Sequence, residues 1–184
     1  MNAIDELRAE HEGIKVSLEI LDRISRRLDG TSNGEIRDLE SLVEFFRVFV
    51  DSCHHGKEEG LLFPALEAEG VSREGGPIGV MLREHDLGRS HVRGIADAIK
   101  KDPVHNPEAA RAVREHAEEY IRLLLAHIEK ENGVLFKIAD DYLPSEIKDG
   151  LAEGFERIET ERVGVGRHEA FHRMLEDLQK KYLN

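Results

Sequence analysis

The 184-residue sequence has no tryptophan, a single cysteine and only five prolines, and aromatic residues make up 5% of it. With one cysteine, Cys53, no internal disulfide can form, and a structural zinc site built on paired cysteines is excluded. Cys53 is expected to be a small buried hydrophobe. No apolar run approaches the roughly 20 residues that span a bilayer. The charged N-terminal stretch MNAIDELRAEHEG has no signal-peptide core. The expectation is a cytoplasmic protein with no membrane partner. Basic charge is in deficit as well: the net charge of −12 repels phosphate backbones, so no nucleic-acid partner is expected. Alternating strand patterns and low-complexity tracts are also missing.

What is there is charge, helical periodicity and histidine. The chain is 40% hydrophobic and 35% charged, which suits amphipathic helices with well-solvated outer faces. Ile4, Leu7, His11, Ile14 and Leu18 step by three and four residues along one helix face, with Asn2 placed to cap its start. The turn cluster at residues 30–34 ends that helix. A second helix, residues 35–69, carries Val43, Phe46, Val50, His54 and Glu58 on its inner face, and Pro64 is expected to kink or end it. Pro77 opens a third helix bearing Met81, His85, Val92 and Ile95; Asn106 caps and Pro107 opens a fourth bearing Tyr120, Leu124, His127 and Glu131. Four long helices with short connections predict an all-α, up-down-up-down four-helix bundle over residues 1–142. Residues 143–184 then form a C-terminal helical extension packed on the bundle. It has a short helix from about Ser145 to Glu161, a hinge flanked by Gly164 and Gly166, and a last helix from about Arg167.

The informative feature is an internal repeat. Residues 54–63 and 127–136 share the pattern H-x-x-K-E-x-G-x-L-F at an offset of 73, and Glu10-His11 recurs as Glu84-His85 at an offset of 74. Each helical hairpin thus carries one histidine on its first helix and H-x-x-x-E on its second. Residues i and i+4 are neighbours on a helix face, so His54 with Glu58, and His127 with Glu131, can face one centre. All six side chains occupy slots that the periodicity otherwise fills with apolar residues. Buried carboxylates are costly unless paired or metal-bound. No Lys or Arg occupies the inner-face slots, so a pair of cations bridged by the two carboxylates is the expected solution. Mixed imidazole and carboxylate ligation suits iron or manganese better than calcium or magnesium.

The pattern H…HxxxE…H…HxxxE, with Leu-Phe-Pro after the first pair, resembles the hemerythrin-like, or HHE cation-binding, family over about residues 1–140. The resemblance implies a non-haem centre of two iron ions, oxo- or hydroxo-bridged, inside a four-helix bundle. Carried over by position, it makes His11, His54, His85 and His127 terminal ligands and Glu58 and Glu131 the bridging carboxylates. The oxygen-carrying members have a second histidine four residues after the first on the third helix; that position is Arg89 in this chain. The departure argues against simple reversible oxygen transport. Candidates for an extra ligand are His55, adjacent to His54, and His168 or His172, which share a face of the last helix; the alternative for each is a packed or solvated side chain. The register His55/Glu59 is an alternative HxxxE pair, but the repeat and the inner-face count both select His54/Glu58. His91, His105 and His116 are read as structural; His116 lies about 16 Å from His127 by helical rise.

These readings converge on a di-iron protein that binds or senses oxygen, nitric oxide or peroxide. The alternative is a di-iron enzyme with peroxide-decomposing or ferroxidase-type activity, and whether turnover occurs is left open. A ferritin-like site would need Glu-x-x-His on two bundle helices, whereas the lone such tetrad, Glu169 to His172, lies outside the bundle. The expected partner is a small diatomic molecule or peroxide, with a homodimer as one oligomeric state to test.

Overall fold

The computed structural model describes residues 2–28 and 33–184. Of the turn expected at residues 30–34, residues 30–32 lie outside the described residues, and Asn33 and Gly34 open the second helix. Helix α1 (Ala3–Arg26) begins where the Asn2 side chain accepts a hydrogen bond from the Asp5 N–H, as its position predicts. The second rod is continuous over residues 33–68: α2 (Asn33–Phe45), wide π-type turns over Phe46–His55 and Glu58–Leu62, then α3 (Phe63–Ala68). The third rod is α4 (Pro77–Ile99). The fourth is α5 (Pro107–Lys130), a wide turn over Glu131–Leu135, and α6 (Phe136–Tyr142). Asn106 caps α5 by accepting from the N–H groups of Glu108 and Ala109. No strand occurs among the described residues, and no described helix is long and apolar enough to cross a membrane.

Pro64 does not end the second rod. It falls at the start of α3, directly after a wide turn in which the Phe63 N–H reaches the Glu58 carbonyl five residues back. The shifted register absorbs the amide that proline cannot supply. The equivalent turn in the fourth rod has the same i to i−5 bond, from Phe136 to Glu131, although Lys137 stands where the second rod has Pro64. In both rods the wide turn begins at the glutamate of the repeat.

The four rods pack in cyclic order, α1 against α2 and α5, and α4 against α2 and α5. Two apolar layers fill the interior. One contains Ile4, Leu7, Leu62, Phe63, Met81 and Phe136 at one end of the bundle. The other, larger layer contains Ile14, Leu18, Val50, Cys53, Val92 and Leu124. His11 lies between Leu7 and Ile14 along α1, and His85 between Met81 and Val92 along α4. The helical periodicity therefore sandwiches a polar layer between two dry ones. Cys53 is buried there as expected, and burial pushes its thiol up to about 12, which keeps it protonated.

After Leu143, α7 (Ser145–Ile158) runs into a wide turn over Glu159–Val163 and then α8 (Arg167–Tyr182). Gly164 and Gly166 both adopt positive φ, 93° and 79°, which lets the chain reverse between those elements without a Cβ clash. Both helices pack on α1, and Phe171 meets Phe45 edge-on with ring centroids 5.6 Å apart.

Candidate metal centre

The six residues selected by the repeat meet in the polar layer. His11, His54, Glu58, His85, His127 and Glu131 are each no more than 1% exposed. The Nε2 atoms of His11 and His54 lie 3.1 Å apart, and so do those of His85 and His127. Each carboxylate reaches from one histidine pair to the other. Glu58 points Oε1 at His54 Nε2 (3.7 Å) and Oε2 at His85 Nε2 (3.5 Å); Glu131 points Oε1 at His127 Nε2 (3.2 Å) and Oε2 at His11 Nε2 (3.2 Å).

The other ring nitrogen of each histidine faces outward and is held. His54 Nδ1 donates to Glu10 (2.7 Å), His127 Nδ1 to Glu84 (2.9 Å) and His85 Nδ1 to Glu59 (2.7 Å). A carboxylate accepts and does not donate, so the proton of each neutral imidazole sits on Nδ1 and the Nε2 lone pair points inward. His11 Nδ1 faces the side-chain oxygen of Asn132 at 3.0 Å in the same manner. Phe136 stacks on His11 and Phe63 on His85, at 5.4 and 6.0 Å between ring centroids, closing the apolar side of each imidazole.

Among the described residues, no protein group satisfies the carboxylate oxygens. All four oxygens of Glu58 and Glu131 are buried without a hydrogen-bond partner; the imidazole nitrogens near them lie outside hydrogen-bond geometry. Burial and the neighbouring Glu131 charge push the Glu58 carboxyl well above its ordinary value. Glu131 is buried equally, but the imidazoles of His127 and His11 bring it well below. Burial lowers His54 to about 4 and lowers His85, while for His127 the Glu131 and Glu84 carboxylates outweigh burial and raise it to about 9. A cation between these groups would satisfy the orphaned oxygens and the inward Nε2 atoms together, displacing the second proton that His127 holds at neutral pH without it. Among the described residues two buried sets have ligand atoms within 4.8 Å of one another, His55/Glu58/His85/His127 and His11/His54/Glu58/Glu131, and they share Glu58.

His55 thus joins the first set. It stacks on His85 with ring centroids 3.8 Å apart and is 4% exposed. Its counterpart in the repeat is Ile128, so the centre has three imidazoles on one side and two on the other. His168 falls in neither set. It lies against Phe49 and His172, and groups with Glu10 and Glu159 in a third, half-buried cluster. The C-terminal segment does fold back, but the side chain it brings toward the centre is Glu159. His91 and His116 pack on each other, and His105 pairs with Asp102 at the surface. Tyr120 belongs to the core, and Tyr142 is 60% exposed.

Lys57 and the glutamates that hold the histidines were not singled out by the inner-face pattern. Lys57 is fully buried and donates to Glu6, Glu10 and Glu159 at 2.7, 2.6 and 2.6 Å. Glu10 therefore joins Lys57 to His54. In the other half Lys130 pairs with Glu84, which accepts from His127. The signal was present in the repeat itself, which duplicates the Lys of H-x-x-K-E and the Glu of Glu-His along with the six inward residues.

Residues 2–139 match the hemerythrin HHE cation-binding domain, and the chain belongs to that family. An uncharacterized protein of Mycobacterium tuberculosis is 25% identical over 181 residues, covering 98% of this chain and 70% of the relative. An iron-sulfur cluster repair protein YtfE of Yersinia pestis is 37% identical over 138 residues, 72% of this chain and 58% of the relative. The Salmonella typhimurium protein of the same name is 39% identical over 92 residues, 46% of this chain and 40% of the relative. Family membership and the two His/Glu sets together make this a metal-binding centre, with iron the metal that the relatives' name supports.

Proposed function

We propose that this chain is a non-haem di-iron protein that binds or senses oxygen, nitric oxide or peroxide. The observation that carries the reading is the outward-held Nδ1 and inward-facing Nε2 of His54, His85 and His127 around two carboxylates whose oxygens no group among the described residues satisfies. His11, His54, His85 and His127 would be terminal ligands, Glu58 and Glu131 would bridge, and His55 would add a third imidazole to the His85/His127 side. Two iron ions in that set would supply Lewis acidity and one-electron redox chemistry toward a small exogenous ligand. The chain's own residues fix the imidazole tautomers, keep water out through the stacked Phe63 and Phe136, and leave the His11/His54 side with the smaller ligand set.

Metal analysis and near-ultraviolet absorption of aerobically purified protein test the reading. Two irons per chain with charge-transfer absorption are expected, and the Glu131→Ala variant is expected to lose the iron while keeping most of its helix content by circular dichroism. Wild-type protein that stays folded and iron-free in the presence of ferrous salt would sink it. The name of the Yersinia and Salmonella relatives favours a second reading, in which the same centre serves iron-sulfur cluster repair; restoration of a damaged cluster in a purified acceptor, dependent on Glu131, is its test.

A further inference from the structure

A cavity of about 160 Å³ between the second and third rods reaches the centre at His55. Its deep wall is formed by His55, Tyr120 and Gly88, and its mouth by Arg47 and Arg93, both exposed. Three guanidinium groups and one carboxylate, Asp51, line it. Arg89 is already held by Asp51 (2.7 Å), Glu59 (2.6 Å) and Asp86 (2.9 Å). Arg47 and Arg93 form no ion pair among the described residues, and theirs is the charge left to attract a ligand. At the inner end, His55 Nδ1 is buried with no hydrogen-bond partner; the Asp51 carboxylate lies 3.6 Å away, beyond a hydrogen bond. The volume holds a triatomic ligand and some water, a water taking about 30 Å³.

We propose that this cavity binds a small monovalent anion, which Arg47 and Arg93 draw in and His55 Nδ1–H anchors beside the centre. Exposed charges at the mouth of a low-dielectric cleft raise the local concentration of a counter-ion. A proton on the unpartnered Nδ1 would supply the directional contact that the arginines at the rim do not. As the approach for an exogenous ligand of the metals the cavity rests on the di-iron reading; as an anion site it does not.

Azide is a suitable probe, because its infrared stretch reports binding with or without metal. Metal-free wild-type protein is expected to bind azide saturably, and the Arg47→Gln/Arg93→Gln double variant to bind it at least about tenfold more weakly. In iron-loaded protein the same variant should weaken azide binding while leaving the affinity of neutral nitric oxide for the ferrous form unchanged. Both substitutions are at exposed positions, so the fold is kept. Absence of saturable azide binding to the metal-free wild type overturns the proposal, as does equal affinity in wild type and variant, or an equal loss for nitric oxide. Failure of the di-iron reading would look different: azide binding intact in a protein that takes up no iron.

Discussion

The hairpin of α1 and the second rod and the hairpin of α4 and the fourth rod present the same inward atoms in different surroundings. Lys57 is sealed among three carboxylates and beneath Phe155, whereas Lys130 is 41% exposed and, among the described residues, pairs with Glu84 alone. His85 is held by the carboxylate of Glu59, whereas His11 is held by the carboxamide of Asn132, the residue in the equivalent place. His55 stands where the other hairpin has Ile128. A duplicated pattern preserves what points into the centre; the differences lie in what holds the pattern from outside. They make the two sides of the centre chemically unlike, one with three imidazoles and two charged hydrogen-bond acceptors, Glu59 and Glu84, the other with two imidazoles, one charged acceptor, Glu10, and one neutral, Asn132.

The largest expected difference is in the lysines. On metal-free protein, Lys57→Met should cost about 3–5 kcal/mol in urea unfolding, because it strands the Glu10 carboxylate, 8% exposed, with the half-buried Glu6 and Glu159 unpaired beside it. Lys130→Met removes a partly solvated pair and should cost no more than about 1 kcal/mol. Equal losses would mean that the two halves are clamped alike. Next is the acceptor of the imidazole proton. Glu59→Gln makes the His85 side resemble the His11 side and should weaken the tighter of two cobalt(II) binding steps by about ten- to a hundredfold. Asn132→Gln should leave both steps nearly unchanged, and loss of the same step in both variants would refute the asymmetry.

A smaller effect concerns acid. Burial raises Glu10, but the hydrogen bond from His54 and the charge of Lys57 outweigh it and bring the carboxyl down to about 2; Glu84 is also lowered, chiefly by His127. A depressed carboxylate stabilises the fold above its unfolded value near 4.5, and that contribution disappears as pH falls through the folded value. The Glu10→Gln variant of the metal-free protein should therefore be less stable than wild type at neutral pH, with the gap closing as pH falls toward 2. A gap that widens on acidification would reverse the sign of the argument. Smallest of all, His116→Ala should leave metal content unchanged, since His116 packs on His91 away from both sets; metal loss comparable to that of Glu131→Ala would break the inner-face assignment.

Much of the centre was legible in the chain. Helical spacing placed His54 with Glu58 and His127 with Glu131, and the repeat selected that register over His55/Glu59. The helix caps at Asn2 and Asn106 followed from side-chain chemistry alone. Pro64 read as a break because single-sequence periodicity assumes one hydrogen-bond register, and the wide turn at Glu58 changes it. His168 was a candidate because i, i+4 spacing reports a shared face and says nothing of what that face meets.

The sequence by itself determined the all-helical class, the duplicated His and Glu set and the layer it occupies, because these depend on local periodicity and on which residues share a helix face. The tertiary structure decided which atoms of those residues face one another. Only the packed rods show that Glu10, Glu59 and Glu84 fix the imidazole tautomers, that Lys57 is buried, and that His55 turns inward while His168 does not. Those outcomes hang on contacts between residues far apart in the chain, 102 positions between Lys57 and Glu159, and local spacing carries no information about partners at that distance.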